Sequence, residues 1–271
     1  MSDFLELAKS RRSVRTFDGN MPEESVIAEL KAFAENVNNP YDIPVRFEFL
    51  DADEHKLSSP VLSGEKLYVS AVTEKGEHAE EAYGYAFEAL LMKAHEMGLG
   101  TVWIGGTMPR DKFEKASNLS GNEIMPCVSP LGKTAKKMSV KEALMRKGVK
   151  ADVRMDFESL FFDESFDNPL SKDKASNPGV FDALESVRFA PSAVNKQPWR
   201  IVLGPNTAHF YIKHDRGYKM ADYDLQMVDL GIALYHFEKA LSEAGNSPKL
   251  EVADPGIAIP DQMNYVATYK W

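Results

Sequence analysis

Apolar side chains recur along this chain with two spacings, and the spacings mark out its elements. Residues 3–12 carry Phe4, Leu7 and Ala8 on one helical face. Residues 22–37 predict a stronger helix. Pro22 suits a first turn, Glu23 and Glu24 suit the positive helix start, and Val26, Ile27, Leu30, Phe33, Ala34 and Val37 recur at helical spacing. Val45, Phe47 and Phe49 alternate with Arg46 and Glu48, which predicts a strand, and residues 67–72 predict another. The longest helix is expected over 79–97. There Ala82, Tyr83, Ala86, Phe87, Leu90, Leu91 and Ala94 make a wide apolar face, and Gly98 is a natural stop. Residues 101–104 and 125–129 read as short buried strands. Further on, the pattern predicts a helix over 180–189, strands near 200–203 and 209–213, and a second long helix over 223–244. Residues 250–252 and 265–269 read as extended.

Residues 163–178, rich in Asp, Asn, Ser, Lys and Pro, read as a linker. The expected division is therefore a first half at 1–162, a linker at 163–178 and a second half at 179–271. The halves resemble each other weakly. A shift of 154 residues places Val26 on Val180, Leu30 on Leu184, Pro44 on Pro198 and Arg46 on Arg200. A shift of 147 places Gly84 on Gly231 and Ala86 on Ala233, in the middle of the two long helices. A mid-helix Gly costs roughly 1 kcal/mol relative to Ala, so a matched pair suggests close backbone approach in a duplicated, pseudo-symmetric core.

Composition narrows the class. The chain has 271 residues, 44% apolar and 27% charged, with a net charge of −9; these values suit a soluble globular protein. Its one cysteine, Cys127, has no partner for an internal disulfide and reads as a core thiol in a reducing compartment. No signal peptide and no apolar run of spanning length is visible, which points to a cytoplasmic protein with no membrane partner. The acidic balance argues against nucleic acid as a partner. The histidines are scattered without metal-ligand spacing, so no metal is expected. Asp and Glu spread along the chain like a solvated surface, and Lys133, Lys136 and Lys137 form an exposed basic run.

Three segments could carry chemistry. Arg11-Arg12-Ser13-Val14-Arg15 puts three guanidiniums and a hydroxyl within five residues. Such a group suits phosphate oxygens, although a solvated basic helix end has the same composition. Phe189-Ala190-Pro191-Ser192-Ala193-Val194-Asn195-Lys196-Gln197-Pro198-Trp199 sets small and amide residues between two prolines. It could grip a flat polar ligand or simply turn the chain. Gly98-Leu99-Gly100-Thr101-Val102-Trp103-Ile104-Gly105-Gly106 could bring two backbone N–H groups to a ligand with no side chain between, or be a plain turn. No phosphate-binding loop, hydrolase elbow or activated cysteine is present.

Together the segments resemble the nitroreductase family of FMN-dependent oxidoreductases, over most of the chain. Arg11 to Phe17 is similar to the family's N-terminal phosphate and flavin motif, and Ala190 to Trp199 to its APS-x-x-N-x-QPW loop. Gly98 to Gly106 is similar to the segment whose backbone meets flavin N5, Ser129 to Lys133 to a late strand and glycine, and Arg154 to a C-terminal phosphate-binding position. The order departs from ordinary members, in which the APS loop precedes the glycine segment. Here the first half has Asn38-Asn39-Pro40-Tyr41-Asp42-Ile43-Pro44 in place of an APS loop. The second half lacks the arginine motif and has Gly245-Asn246-Ser247 in place of the glycine segment.

The resemblance therefore implies a double-length branch in which one chain imitates the family's dimer. The implied fold class is α+β and nitroreductase-like: two pseudo-symmetric α/β halves, with mostly antiparallel sheets packed around long central helices. One flavin site would be complete and one decayed, in a monomer with an internal pseudo-two-fold. Carried over residue by residue, Arg11, Ser13 and Arg154 would hold the FMN phosphate, with Arg12 acting through its backbone. Arg15 would approach the pyrimidine edge. Trp103, Ile104, Gly105 and Gly106 would line the flavin, and Pro191, Ser192, Ala193 and Asn195 would pack across the ring. Gln197 and Trp199 would be structural. The implied reaction passes hydride from NAD(P)H through flavin N5 to a small-molecule acceptor of quinone or nitroaromatic type, with no side-chain acid or base. The alternatives are a flavin-binding or regulatory module without turnover, or a dehalogenase-like or flavin-fragmenting relative.

Overall fold

The computed structural model describes residues 2–173, 175 and 177–271. The chain divides into two compact units, one of Arg11–Asp152 and one of Met1–Ser10 with Val153–Trp271.

The Arg11–Asp152 unit holds α2 (Glu24–Ala34), β1 (Arg46–Asp51), β2 (Leu67–Glu74), α3 (Ala79–Glu96), α4 (Arg110–Ala116), β3 (Glu123–Ile124), β4 (Val128–Leu131) and α5 (Val140–Gly148). Its sheet is built on β2, which pairs antiparallel with β1, β3 and β4. β2 is buried from Leu67 to Thr73, as a strand of β-branched and aromatic residues with neighbours on both edges should be. Helix α3 is buried around nearly its whole circumference, including Glu81 and Glu88. A cluster of Val14, Phe17, Tyr68, Val102, Ile104, Phe113 and Val128 forms part of the core.

The second unit holds α1 (Asp3–Ser10), α6 (Phe157–Leu160), β5 (Phe161–Asp163), α7 (Pro178–Phe189), β6 (Trp199–Gly204), β7 (Thr207–Lys213), α8 (Leu225–Glu243), β8 (Lys249–Glu251) and β9 (Met263–Lys270). Its five strands lie in the order β5-β6-β7-β9-β8, with β5 parallel to β6 and the other pairs antiparallel. Asn177 caps α7, accepting from the Gly179 and Val180 N–H groups, and Asp224 caps α8, accepting from the Gln226 N–H.

The division differs from the sequence expectation of 1–162, 163–178 and 179–271. Helix α1 buries Phe4, Leu5 and Ala8 and packs on α7 and α8, with the Phe4 ring 5.7 Å from that of Tyr235. It therefore belongs with the C-terminal part. The expected linker begins at the end of β5, a sheet strand, and Lys174 and Ser176 lie outside the described residues. The repeat in sequence has a counterpart in secondary structure. The 154-residue shift carries α2 into α7 and β1 onto β6, and the 147-residue shift carries α3 onto α8. Residues 101–104 do not form the expected strand. They are tied by single bridges, Thr101 to Ser13 and Ile104 to Val128. Helix α2 is shorter than its apolar pattern, and of its residues only Leu30 is buried.

Candidate functional site

In the Arg11–Asp152 unit the first and third motifs are stitched together. The Val14 N–H donates to the Thr101 carbonyl at 2.9 Å, and the Gly100 N–H donates to Gly132 O at 2.8 Å. Gly100 is required by this approach, because a Cβ there would lie 2.8 Å from the Val14 side chain. On its other side the arginine segment is held by Phe17 N–H to Ser63 O at 2.8 Å and Ala135 N–H to Thr16 O at 3.0 Å. The segment is thus fixed as extended backbone before any ligand arrives.

A buried carboxylate fixes it further. Glu142 is only 1% exposed. It accepts from Arg12 Nη1 at 2.8 Å, the Arg15 N–H at 3.0 Å and Thr16 Oγ1 at 2.7 Å. Ser139 caps α5 by accepting from the Glu142 N–H, and this cap orients the first turn that carries the carboxylate. Arg12 is thereby committed, which suits a residue expected to act through its backbone.

Arg11 and Arg15 are different. Arg11 is 8% exposed, and burial pulls its guanidinium pKa down, against the raising effect of Glu88. Burial likewise lowers Arg15, against Glu142. Nε of Arg11 and both Nε and Nη1 of Arg15 are buried with no hydrogen-bond partner among the described residues. Buried cationic donors without acceptors are costly, so their natural complement is an anionic or carbonyl-rich ligand. Ser13 lies half-buried between them and is bridged to Thr101.

The glycine segment is only partly available to a ligand. Ile104 is a core residue, and its N–H and C=O both pair with Val128 at 2.9 Å. Its side chain is therefore committed to the core and its backbone N–H and C=O to Val128. Trp103 is half-buried, its indole N–H donating to Glu88 at 2.8 Å and its ring 4.8 Å from that of Phe87. Arg110 clamps the following turn through Gly105 O, Met125 O and Pro126 O. A Cβ on the exposed Gly106 would meet no protein atom within 4 Å. Cys127 is a buried free thiol, as the sequence implies.

In the other unit, the proline-flanked loop is held by a different device. Val194, Asn195 and Gln197 all have positive φ, at 42°, 61° and 50°. Such backbone is strained, most of all for the β-branched Val194, and strain of this kind collects at functional sites. Cross-bonds maintain it. Ser192 Oγ accepts from the Gln197 N–H at 2.9 Å, and both oxygens of Asp229 accept from the Ala193 N–H at 3.0 and 3.1 Å. Asn195 Nδ2 donates to Val153 O at 2.9 Å, and Gln197 Oε1 accepts from the Met155 N–H at 3.0 Å. These bonds bring the 153–155 segment, with Arg154, to the loop. The Arg154 guanidinium lies 5.5 Å from the centre of the Phe189 ring. Gln197 and Trp199 are buried, while Pro191, Ser192, Ala193 and Asn195 stay half-buried. Burial raises the Asp229 carboxyl well above its ordinary range, against the Ala193 hydrogen bond.

Sequence reasoning missed Glu142 and Asp229. Both read as ordinary surface carboxylates. For Glu142 one signal was available, the Ser139-x-x-Glu142 capping pattern; for Asp229 there was none.

The chain belongs to the nitroreductase family: the family model described as "Putative TM nitroreductase" matches residues 3–241. Among solved structures, one from Thermotoga maritima described as a putative nitroreductase is 19% identical. It aligns over 99% of this chain and 92% of its own, with a TM-score of 0.61. That likeness establishes the nitroreductase-like α+β fold. An FMN-dependent nitroreductase from Clostridium difficile is 18% identical and covers 52% of this chain and 94% of its own, at a TM-score of 0.42. No curated protein matches.

Proposed function

We propose that this chain is an FMN-dependent oxidoreductase taking electrons from NADH or NADPH and passing them to a small acceptor of quinone or nitroaromatic type. The observation that carries the reading is the pair of arginines with buried, unpaired donor atoms, Arg11 and Arg15, on the segment that resembles the family's phosphate motif. These donors fit a flavin mononucleotide: a phosphate dianion for Arg11 and Ser13, and a carbonyl-rich ring edge for Arg15. Bound FMN would supply the redox chemistry, accepting a hydride and handing electrons on.

The residues of the chain have the remaining work. Arg11 and Ser13 bind the phosphate, and Glu142 holds Arg12 and the Arg15 backbone so that Arg15 is presented in one geometry. The Arg15 charge favours an electron-rich ring edge. Gly105 and Gly106 leave backbone uncovered by side chains, and Trp103 closes the segment with an apolar surface. In its own unit, the loop with Pro191, Ser192, Ala193 and Asn195, beside Arg154, resembles the family's flavin-contacting loop and is pre-shaped by Asp229 and Gln197. No side-chain acid or base is assigned.

The test is a flavin titration followed by anaerobic reduction. The purified protein should bind FMN, gain thermal stability from it, and lose its yellow colour on adding NADH or NADPH. A protein that gains nothing from FMN would overturn the flavin assignment. FMN bound but reduced by neither nicotinamide would overturn the oxidoreductase and leave a flavin-binding module.

A further inference from the structure

We propose that α5 and the lysine-rich stretch leading into it form a peripheral contact with an anionic lipid surface. Residues 133–150 carry seven lysines and arginines against one carboxylate, in a chain whose net charge is −9. That one carboxylate, Glu142, faces inward and is spent on the arginine segment. The outward face of the stretch is therefore cationic without compensation from its own element.

The helix is also inverted in its polarity. Its charged Glu142 is buried, whereas Val140 is 78% and Leu144 66% exposed, and Met138 just before it is 41% exposed. Val140 and Leu144 are four residues apart and share one face. They are the two most exposed large apolar side chains among the described residues. Lys136, Lys137 and Lys147 are exposed and make no ion pair among the described residues. Lys141 bonds to the Pro60 carbonyl. An apolar tip set within unpaired lysines has the composition of a surface-seeking amphipathic helix.

Charge and size select the occupant. A nucleic acid would engage the lysines but gives no reason for three apolar side chains to face outward. A stable protein partner would need roughly 800 Å² of this surface, more than three side chains provide. A bilayer interface rich in anionic headgroups uses both features, the lysines for attraction and the apolar tip for shallow insertion. No helix among the described residues is long and apolar enough to cross a membrane, so the contact is peripheral. The sequence expectation of no membrane partner rested on the lack of an apolar run of spanning length, a criterion that does not register an 18-residue basic patch with an apolar tip. The contact does not depend on the flavin assignment.

The experiment is co-sedimentation of the full chain with vesicles. Phosphatidylcholine vesicles doped with phosphatidylglycerol should pull the protein down at low ionic strength, pure phosphatidylcholine vesicles should not, and high salt should release it. Leu144→Glu, and separately the combined Lys136→Glu, Lys137→Glu and Lys147→Glu variant, should each cut the bound fraction on the order of 10-fold or more. Both variants should keep the parent's circular dichroism and melting temperature, and Leu144→Ile should bind like the parent. Equal binding to neutral and anionic vesicles, no binding to either, or binding indifferent to both variants would overturn the proposal. So would retention by RNA or polyglutamate in place of vesicles.

Discussion

The arginine segment and the proline-flanked loop are each held in one shape before a ligand is present, by opposite means. The arginine segment, residues 11–17, is relaxed extended backbone with its tension in charge. Glu142 satisfies Arg12 and two neighbouring donors, while Arg11 and Arg15 keep buried donors unpaired. The loop at 190–198 has its tension in the backbone, with three non-glycine residues at positive φ, and a buried carboxyl gathers it at Ala193. Stored charge asks for a ligand with the opposite charge. Stored backbone strain asks only for a fixed surface. In the function proposed above, recognition of an anionic group falls to the first region and shaping of a contact surface to the second.

The contrast can be broken most forcefully at Glu142. Glu142→Ala removes the acceptor for three donors in a buried setting, and urea melts should show a loss of about 3 kcal/mol with weaker FMN binding. At Asp229 the expected signature is a pH dependence. Burial raises this carboxyl, so the folded state keeps a proton that the unfolded chain releases. Stability should therefore be full below the ordinary carboxylate range and fall as pH rises toward the folded value. Asp229→Asn keeps an acceptor that cannot ionise. It should flatten the profile, with an advantage over the parent that grows with pH and vanishes in acid. The smallest effect belongs to Val194→Gly. Relief of left-handed strain should add about 1 kcal/mol or less of stability, because glycine also loosens the unfolded chain. A loop that melts lower after this change would mean that its conformation is not strained.

Much of the fold was legible because it rests on long periodic segments. The apolar faces of α3 and α8, the alternation of β1, and the strands β6 and β7 all follow from spacing alone. Short elements were not. Helices α4, α5 and α6 hold few apolar positions, and α5 turns two of them outward, so periodicity gives no helix there. Residues 101–104 looked like a strand, but glycines before and after leave room only for single bridges. The unit boundary was missed because α1 finds its burial on helices far along the chain. The site residues came from motif resemblance. Their supports did not, since a buried Glu142 or Asp229 has the same letter as a solvated one. The acidic residues looked like a uniform surface, yet Glu81, Glu88, Glu142, Glu185 and Asp229 are buried.

The central claim is that Arg11 is kept buried, with its Nε donor unpaired, for the sake of an anionic ligand. Arg11→Met measures it directly, with FMN affinity and ligand-free stability determined on the same preparation. The account predicts FMN binding weaker by roughly 10- to 100-fold, and a smaller gain in melting temperature on adding FMN than the parent shows. Unchanged FMN affinity, or a parent-like gain in melting temperature on adding FMN, would contradict it.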